Sequence, residues 1–176
     1  LKTGNYSKSL EFYMKALRFY QISGNGPKIA EMFFQTGNIR DIFSDYELAL
    51  VHYKQAIGYF TVEKLKNNVL SLSHFHSGRI YFEKKDYKQA LAHFQIIPEQ
   101  LLLVTDSGLM AKTQVYIGRV YVNLLAPENA EKHFRAALQT SSANSEEYVF
   151  ALIELGNLLA MQRSYNSSLN YFLQAS

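Results

Sequence analysis

A chain of 176 residues with 48 % apolar side chains is long enough for one continuous core, and three prolines and nine glycines are too few for a disordered or collagen-like polymer. Eighteen Lys and Arg against fifteen Asp and Glu leave a formal net charge of +3, too even a balance to imply nucleic-acid binding. There is no cysteine, which excludes disulfides, thiolate metal sites and cysteine nucleophiles.

Taken in order, Tyr6 to about Ile22 reads as the second helix of an incomplete hairpin. Ser23-Gly24-Asn25-Gly26-Pro27 then supplies a stop, a turn and a proline suited to a first helical turn. A helix from about Pro27 to Phe43 carries Ile29, Phe33 and Gly37 along one face, and Asp45 begins its partner, with Leu48, Ala49, Tyr53 and Ala56. After the polar stretch from Lys64 to Asn68, Asn67 or Asn68 is the candidate cap of a helix through Leu72, Phe75 and Gly78. Asp86 caps the next helix, with Tyr87, Ala90 and Phe94. Pro98 within that helix predicts a break or kink near Ile97, because an interior proline costs about 3 kcal/mol. Thr105-Asp106-Ser107-Gly108 reads as a turn into a helix through Tyr116, Gly118 and Tyr121, and Pro127 opens its partner, with Ala130, Phe134 and Ala137 inward. Ser141 to Ser145 links to the final hairpin, which uses Leu152, Leu155, Gly156 and Leu159, then Tyr165, Ser168, Leu169 and Phe172.

These helices repeat one pattern. Ser9, Ala49, Ala90, Ala130 and Ser168 follow one another at intervals of 40, 41, 40 and 38 residues. A glycine stands twelve residues before the last four of them, at Gly37, Gly78, Gly118 and Gly156, and an aromatic follows four residues after each, at Tyr13, Tyr53, Phe94, Phe134 and Phe172. Fixed offsets at one long period are the mark of a solenoid whose hairpins must stack to cover their apolar sides. The stretch from Gly78 to Phe94 resembles the tetratricopeptide repeat, in which small residues stand at the eighth and twentieth positions, here Gly78 and Ala90, and aromatics near the eleventh, seventeenth and twenty-fourth, here Tyr81, Tyr87 and Phe94. The small residue of the twenty-seventh position is Ala16, Ala56, Ala137 and Ala175, with Ile97 in the middle unit. The period exceeds the family's usual length of roughly 34 residues and is similar to a longer-helix subtype found in bacterial signalling proteins.

The resemblance implies an all-α fold, a right-handed superhelical solenoid of antiparallel hairpins. The expected organisation is one domain over 1–176, with units at 1–24 (partial), 25–65, 66–105, 106–143 and 144–176. The start at Leu1 without a methionine, and an end inside the repeat pattern, suggest a fragment of a longer protein. No apolar run approaches the roughly 20 residues needed to cross a bilayer, so no membrane contact is expected of these residues. The cytoplasm is favoured as the compartment, with the periplasmic part of a membrane-anchored signalling protein as the alternative.

The family uses the groove lined by its first helices to hold peptides or partner helices. The position after each glycine holds Asn38, Arg79, Arg119 and Asn157, a polar row suited to peptide edges and carboxylates. Three residues before each glycine stand Phe34, Phe75, Val115 and Ile153, an apolar row without the lysine that a terminal-carboxylate clamp needs. The partner-binding residues expected on this basis are Asn38, Phe75, Arg79, Phe82, Arg119, Val122 and Asn157. The bland alternative is that the polar row is merely the solvated side of amphipathic helices.

No catalytic constellation is visible. His52, His93 and His133 occupy one repeat position on separate layers, His74 and His76 are two apart, and the acids stand at turns, so neither a metal nor a cofactor is expected. The partner is expected to be a protein or peptide and not a nucleic acid. Self-association is the main rival, with Tyr59-Phe60 and Leu101 to Val104 as candidate apolar surface.

Overall fold

A computed structural model describes residues 3–62, 68–101, 106–143 and 145–176. All regular secondary structure among them is helical: α1 (Thr3–Ser23), α2 (Gly26–Ile42), α3 (Tyr46–Val62), α4 (Asn68–Glu83), α5 (Tyr87–Leu101), α6 (Ser107–Asn123), α7 (Pro127–Thr140), α8 (Glu146–Met161) and α9 (Tyr165–Gln174). They gather into two compact units, Leu1–Ile80 and Tyr81–Ser176. The turn expected between Lys64 and Asn67 and the apolar segment Leu102 to Val104 lie outside the described residues.

Local chemistry explains most of the helix starts. The Asn25 side chain accepts from the Lys28 N–H at 3.2 Å, with Pro27 in the first turn of α2. Asp86 accepts from Gln89 N–H at 3.1 Å, Asp106 from Leu109 N–H at 2.9 Å and Ser145 from Tyr148 N–H at 3.2 Å. Pro127 opens α7, where its missing N–H costs nothing. Pro98 behaves differently from the expectation. The break near Ile97 is absent, and α5 continues to Leu101. Phe94 and Ile97, both 0 % exposed, anchor the turn ahead of the proline. At about 1.5–3 kcal/mol for each buried side chain, they outweigh one lost hydrogen bond.

In the first unit, Ile29, Phe33 and Phe34 of α2 pack against Ala49, Tyr53 and Ala56 of α3, with Leu17 and Tyr20 of α1 at the margin. Phe60 is 2 % exposed and packs with Ala30 and Leu70, so it is core and not the exposed patch the sequence suggested. In the second unit, Val115 of α6, Ala130, Phe134 and Ala137 of α7, and Ala151, Leu155 and Leu158 of α8 form one cluster.

Three hairpins, α2–α3, α6–α7 and α8–α9, close through an aromatic ring laid on a glycine. A Cβ added at Gly37 would lie 2.7 Å from the Tyr53 ring, one at Gly156 would lie 2.6 Å from Phe172, and one at Gly118 would collide with Phe134. In the last hairpin Ser168 replaces the usual alanine, and its hydroxyl donates to the Gly156 carbonyl at 2.8 Å. Gly118→Ala is therefore expected to cost about 1–3 kcal/mol in chemical denaturation. Combined with Phe134→Leu it should cost less than the sum of the two single changes, because the smaller side chain frees the space.

The hairpin turns share one backbone geometry. Ser44, Lys85, Leu125 and Arg163 have φ of 58°, 62°, 56° and 62°, all left-handed and none of them glycine. At Lys85 the N–H donates to the Phe82 carbonyl at 2.9 Å, and the Asp86 N–H to the Tyr81 carbonyl at 2.9 Å, a double closure of the helix end repeated in the other three. A side chain in this conformation costs about 1–2 kcal/mol, part of which glycine returns as chain entropy when unfolded. Lys85→Gly is expected to raise the unfolding free energy by about 0.5–1 kcal/mol, and Lys85→Pro to lower it, in urea titrations.

Candidate functional site

The predicted partner-binding residues fall into two groups, one in each unit. In the first, Asn38 stands one residue after Gly37 and accepts a hydrogen bond from the Tyr53 hydroxyl at 2.8 Å. The same hydroxyl lies 3.4 Å from Asp41 Oδ2. Arg79 of α4 pairs directly with Asp41, whose side chain is 9 % exposed, and His76 Nδ1 lies 3.6 Å from the same carboxylate oxygen. The His76 ring stacks on Tyr53 at 5.5 Å and meets Phe34 and Phe75 at 5.9 and 5.7 Å. Phe75 is 8 % exposed and lies inside this layer.

Electrostatics follow from that arrangement. Burial alone would raise the Asp41 carboxyl, but His76 and Arg79 beside it hold it below the usual carboxylate value. Burial, with Asp41 nearby, pushes the Tyr53 hydroxyl far up, so it remains a donor at any physiological pH.

In the second unit the residue after Gly118 is Arg119. Its guanidinium lies over the Phe82 ring at 5.0 Å and the Tyr116 ring at 5.4 Å, and its Nε is 3.4 Å from Glu154 Oε1. Seven residues earlier on both helices, Lys112 Nζ lies 3.1 Å from Glu147 Oε1. Two parallel ion pairs therefore join α6 to α8. Burial raises the Glu154 carboxyl above its ordinary value, with Arg119 offsetting part of the shift. Val122 is half-buried and lines a separate apolar cavity of about 250 Å³ with Leu125, Pro127, Leu158 and Met161. Asn157 is exposed, on the same face of α8 as Phe150 and Ile153, which are 50 % and 36 % exposed.

The two groups use equivalent repeat positions. Each arginine follows its repeat's glycine and touches the residue four after the preceding glycine, Asp41 for Arg79 and Phe82 for Arg119. The side chain two before its own glycine completes the group, His76 in the first unit and Tyr116 in the second. One slot thus holds a charge pair in the first unit and a cation on two rings in the second. Sequence reasoning missed Asp41, His76, Tyr116 and Glu154. The usable signal was Asp41 in a column otherwise filled by Phe82, Val122 and Ala160.

Of the apolar row, Phe34, Phe75 and Val115 are 5 %, 8 % and 7 % exposed, whereas Ile153 reaches the surface. The three equivalent histidines stack on first-helix aromatics of their own hairpins: His52 on Phe33 at 6.1 Å, His93 on Tyr81 at 5.5 Å and His133 on Tyr121 at 5.4 Å. Among the described residues no three His, Asp or Glu side chains gather into a metal-binding group. No described helix is long and apolar enough to cross a membrane.

Burial lowers all three of these histidines below the ordinary imidazole value of 6.5. The unfolded chain therefore binds more protons than the folded one as pH falls through 6.5 and below, and stability present above that value is lost. Glu154 works in the opposite sense, since a raised carboxyl favours the folded state at low pH. The melting temperature is expected to fall between about pH 7.5 and 5.5, and the fall to shrink in the variant carrying His52→Gln, His93→Gln and His133→Gln.

No family model matches the sequence, and no curated protein matches it. Solved structures superpose on nearly all of it. RapI in its apo form aligns with 98 % of this chain and 48 % of its own, at 19 % identity and a TM-score of 0.84. The apo quorum sensor NprR from B. thuringiensis aligns with 97 % of this chain and 48 % of its own, at 15 % identity and a TM-score of 0.80. A putative kinesin light chain from Podospora anserina with nearly identical TPR-like repeats aligns with 99 % and 87 %, at 10 % identity and a TM-score of 0.76. The chain spans about half the length of RapI and NprR. Together with the repeated glycine–aromatic hairpins, these likenesses show the fold: an all-α, tetratricopeptide-like array of antiparallel helix pairs.

Proposed function

We propose that the chain is a non-enzymatic scaffold that binds a peptide or partner helix on the exposed face of its first helices. The observation that carries this reading is the Arg119 guanidinium, held by Glu154 and laid over Phe82 and Tyr116, beside exposed Asn157, Phe150 and Ile153. An oriented arginine among apolar side chains suits an acidic group on an otherwise apolar ligand, and Asn157 offers a donor and an acceptor to a peptide edge. Val122 supplies apolar surface nearby. In the first unit, Asn38 and Arg79 meet a ligand by exchanging or sharing the Tyr53 and Asp41 partners they now hold, and Phe75 supports them from within.

The finer form of the proposal is the sensory or regulatory part of a bacterial signalling protein. It is supported by the fold shared with NprR, which is a quorum sensor. Self-association is the second reading and requires surfaces other than this face.

A peptide library displayed on phage and selected on the chain tests the scaffold reading. Enriched apolar sequences carrying an acid are expected, and Arg119→Ala together with Asn157→Ala should weaken them about tenfold while helicity by circular dichroism is kept. A library that yields no enriched sequence, or ligands that bind the variant equally well, would remove the basis for the proposal.

A further inference from the structure

One helical glycine has no ring laid on it. Gly37, Gly118 and Gly156 each have an aromatic side chain where a Cβ would stand, but a Cβ built at Gly58 would meet nothing within 4 Å. Gly58 lies inside α3, where glycine weakens a helix relative to alanine because its backbone has more freedom to lose. The same repeat position holds Arg18, Glu99 and Gln139 in other units. Packing among the described residues therefore gives no reason for the missing side chain. What Gly58 opens is a cavity of about 440 Å³ in the first unit, lined with it by Gln21 of α1, Phe33 of α2, and Gln55 and Tyr59 of α3. Leu17, one turn before Gln21, and Tyr20 pack α1 against the α2–α3 core, so the three walls are held by the fold itself.

We infer that this cavity binds a small, uncharged, flat heteroaromatic molecule with hydrogen-bonding groups on its edge. Ring surface comes from Tyr59 and Phe33, whose centroids lie 5.9 Å apart at 27°, with His52 stacked on Phe33 at 6.1 Å. A planar ligand extends that surface, since ring pairs gain more than their buried area alone supplies. The bare backbone at Gly58 lets it approach α3 closely. Two amides meet its edge. Gln55 Oε1 lies 3.2 Å from His52 Nδ1, and with that oxygen accepting from the ring N–H, the Gln55 NH₂ group is left to donate. Gln21 adds a second amide, with a donor and an acceptor. No lining residue is charged, so an ionic ligand would find no counter-ion to offset the water it gives up. The volume falls within the range of roughly 300–1,000 Å³ usual for small-molecule sites. The cavity shares no residue with the Arg119 site, so failure of either proposal leaves the other standing.

The chain has no tryptophan, so the emission of an indole probe reports binding without background. The whole chain is titrated into indole-3-acetamide, which is neutral, and into indole-3-acetate, which carries the same ring and a charge. The amide is expected to bind with a dissociation constant on the order of 0.1–1 mM, as a ligand of its size allows, and the acetate about tenfold more weakly. Gly58→Leu should abolish binding by filling the cavity. Because a Cβ there meets nothing and leucine is a better helix former, the melting temperature of this variant should rise or stay level, which separates lost binding from lost fold. Gln21→Leu with Gln55→Leu should weaken the amide about tenfold and remove its advantage over the acetate. Failure of the amide to bind, binding unchanged in Gly58→Leu, or a preference for the acetate overturns the inference.

Discussion

The contact on which the rest depends is an aromatic ring lying on a glycine. It occurs at Gly37 with Tyr53, Gly118 with Phe134 and Gly156 with Phe172, and in each case the ring occupies the space that a methyl group would take. Because the ring sits where a side chain would be, the helices approach closely enough for Ala49 and Ala56 of α3, and Ala130 and Ala137 of α7, to become fully buried. Two small residues and one large one thus set the separation of a whole helix pair. The rest of each hairpin is free to vary, as the different residues around each contact show.

Above that contact the repeats differ in what they place at equivalent positions. Tyr53 fills its ring position like the phenylalanines elsewhere, but its hydroxyl brings Asn38 and Asp41 into one polar group. Phe134 makes the same packing without a polar extension. The charged pair at Arg79 and the ring-stacked cation at Arg119 are therefore variations on a common slot, governed by whether the preceding repeat supplies Asp41 or Phe82. The hairpin contact is common to these repeats, so what distinguishes one repeat from the next lies in those substitutions.

The hairpins were legible because their signal is periodic and redundant: a glycine, an alanine and an aromatic recur at fixed offsets, and the caps at Asp86, Asp106 and Ser145 mark the starts. Pro98 misled because its penalty is local, while the burial of Phe94 and Ile97 that offsets it depends on tertiary packing. The candidate site was less legible. The row from Asn38 to Asn157 was readable as a register, but the partners of each member come from another helix, such as Asp41 for Arg79 or Glu154 for Arg119. Phe34, Phe75 and Val115 illustrate the same limit, since a register position says which side of a helix a residue occupies and not how deeply the neighbouring helix covers it.

The two ion pairs between α6 and α8 have a mechanical consequence. Lys112–Glu147 and Arg119–Glu154 stand seven residues apart on both helices, about 10 Å along the axis. The buried cluster of Val115, Ala137, Ala151 and Leu155 holds α8 in place, and a single tether beside it would fix only one point of the helix register. Two of them form a pair of mounting points that resist both sliding and swivelling while permitting a slight parting of the helices. Since both involve side chains reached by solvent, dissolved salt loosens the mounts without touching the ring-on-glycine contacts inside each hairpin. Ionic strength would thus loosen only this outer edge of the joint, by about 1 kcal/mol or less for each pair, while the buried cluster between the hairpins keeps it closed.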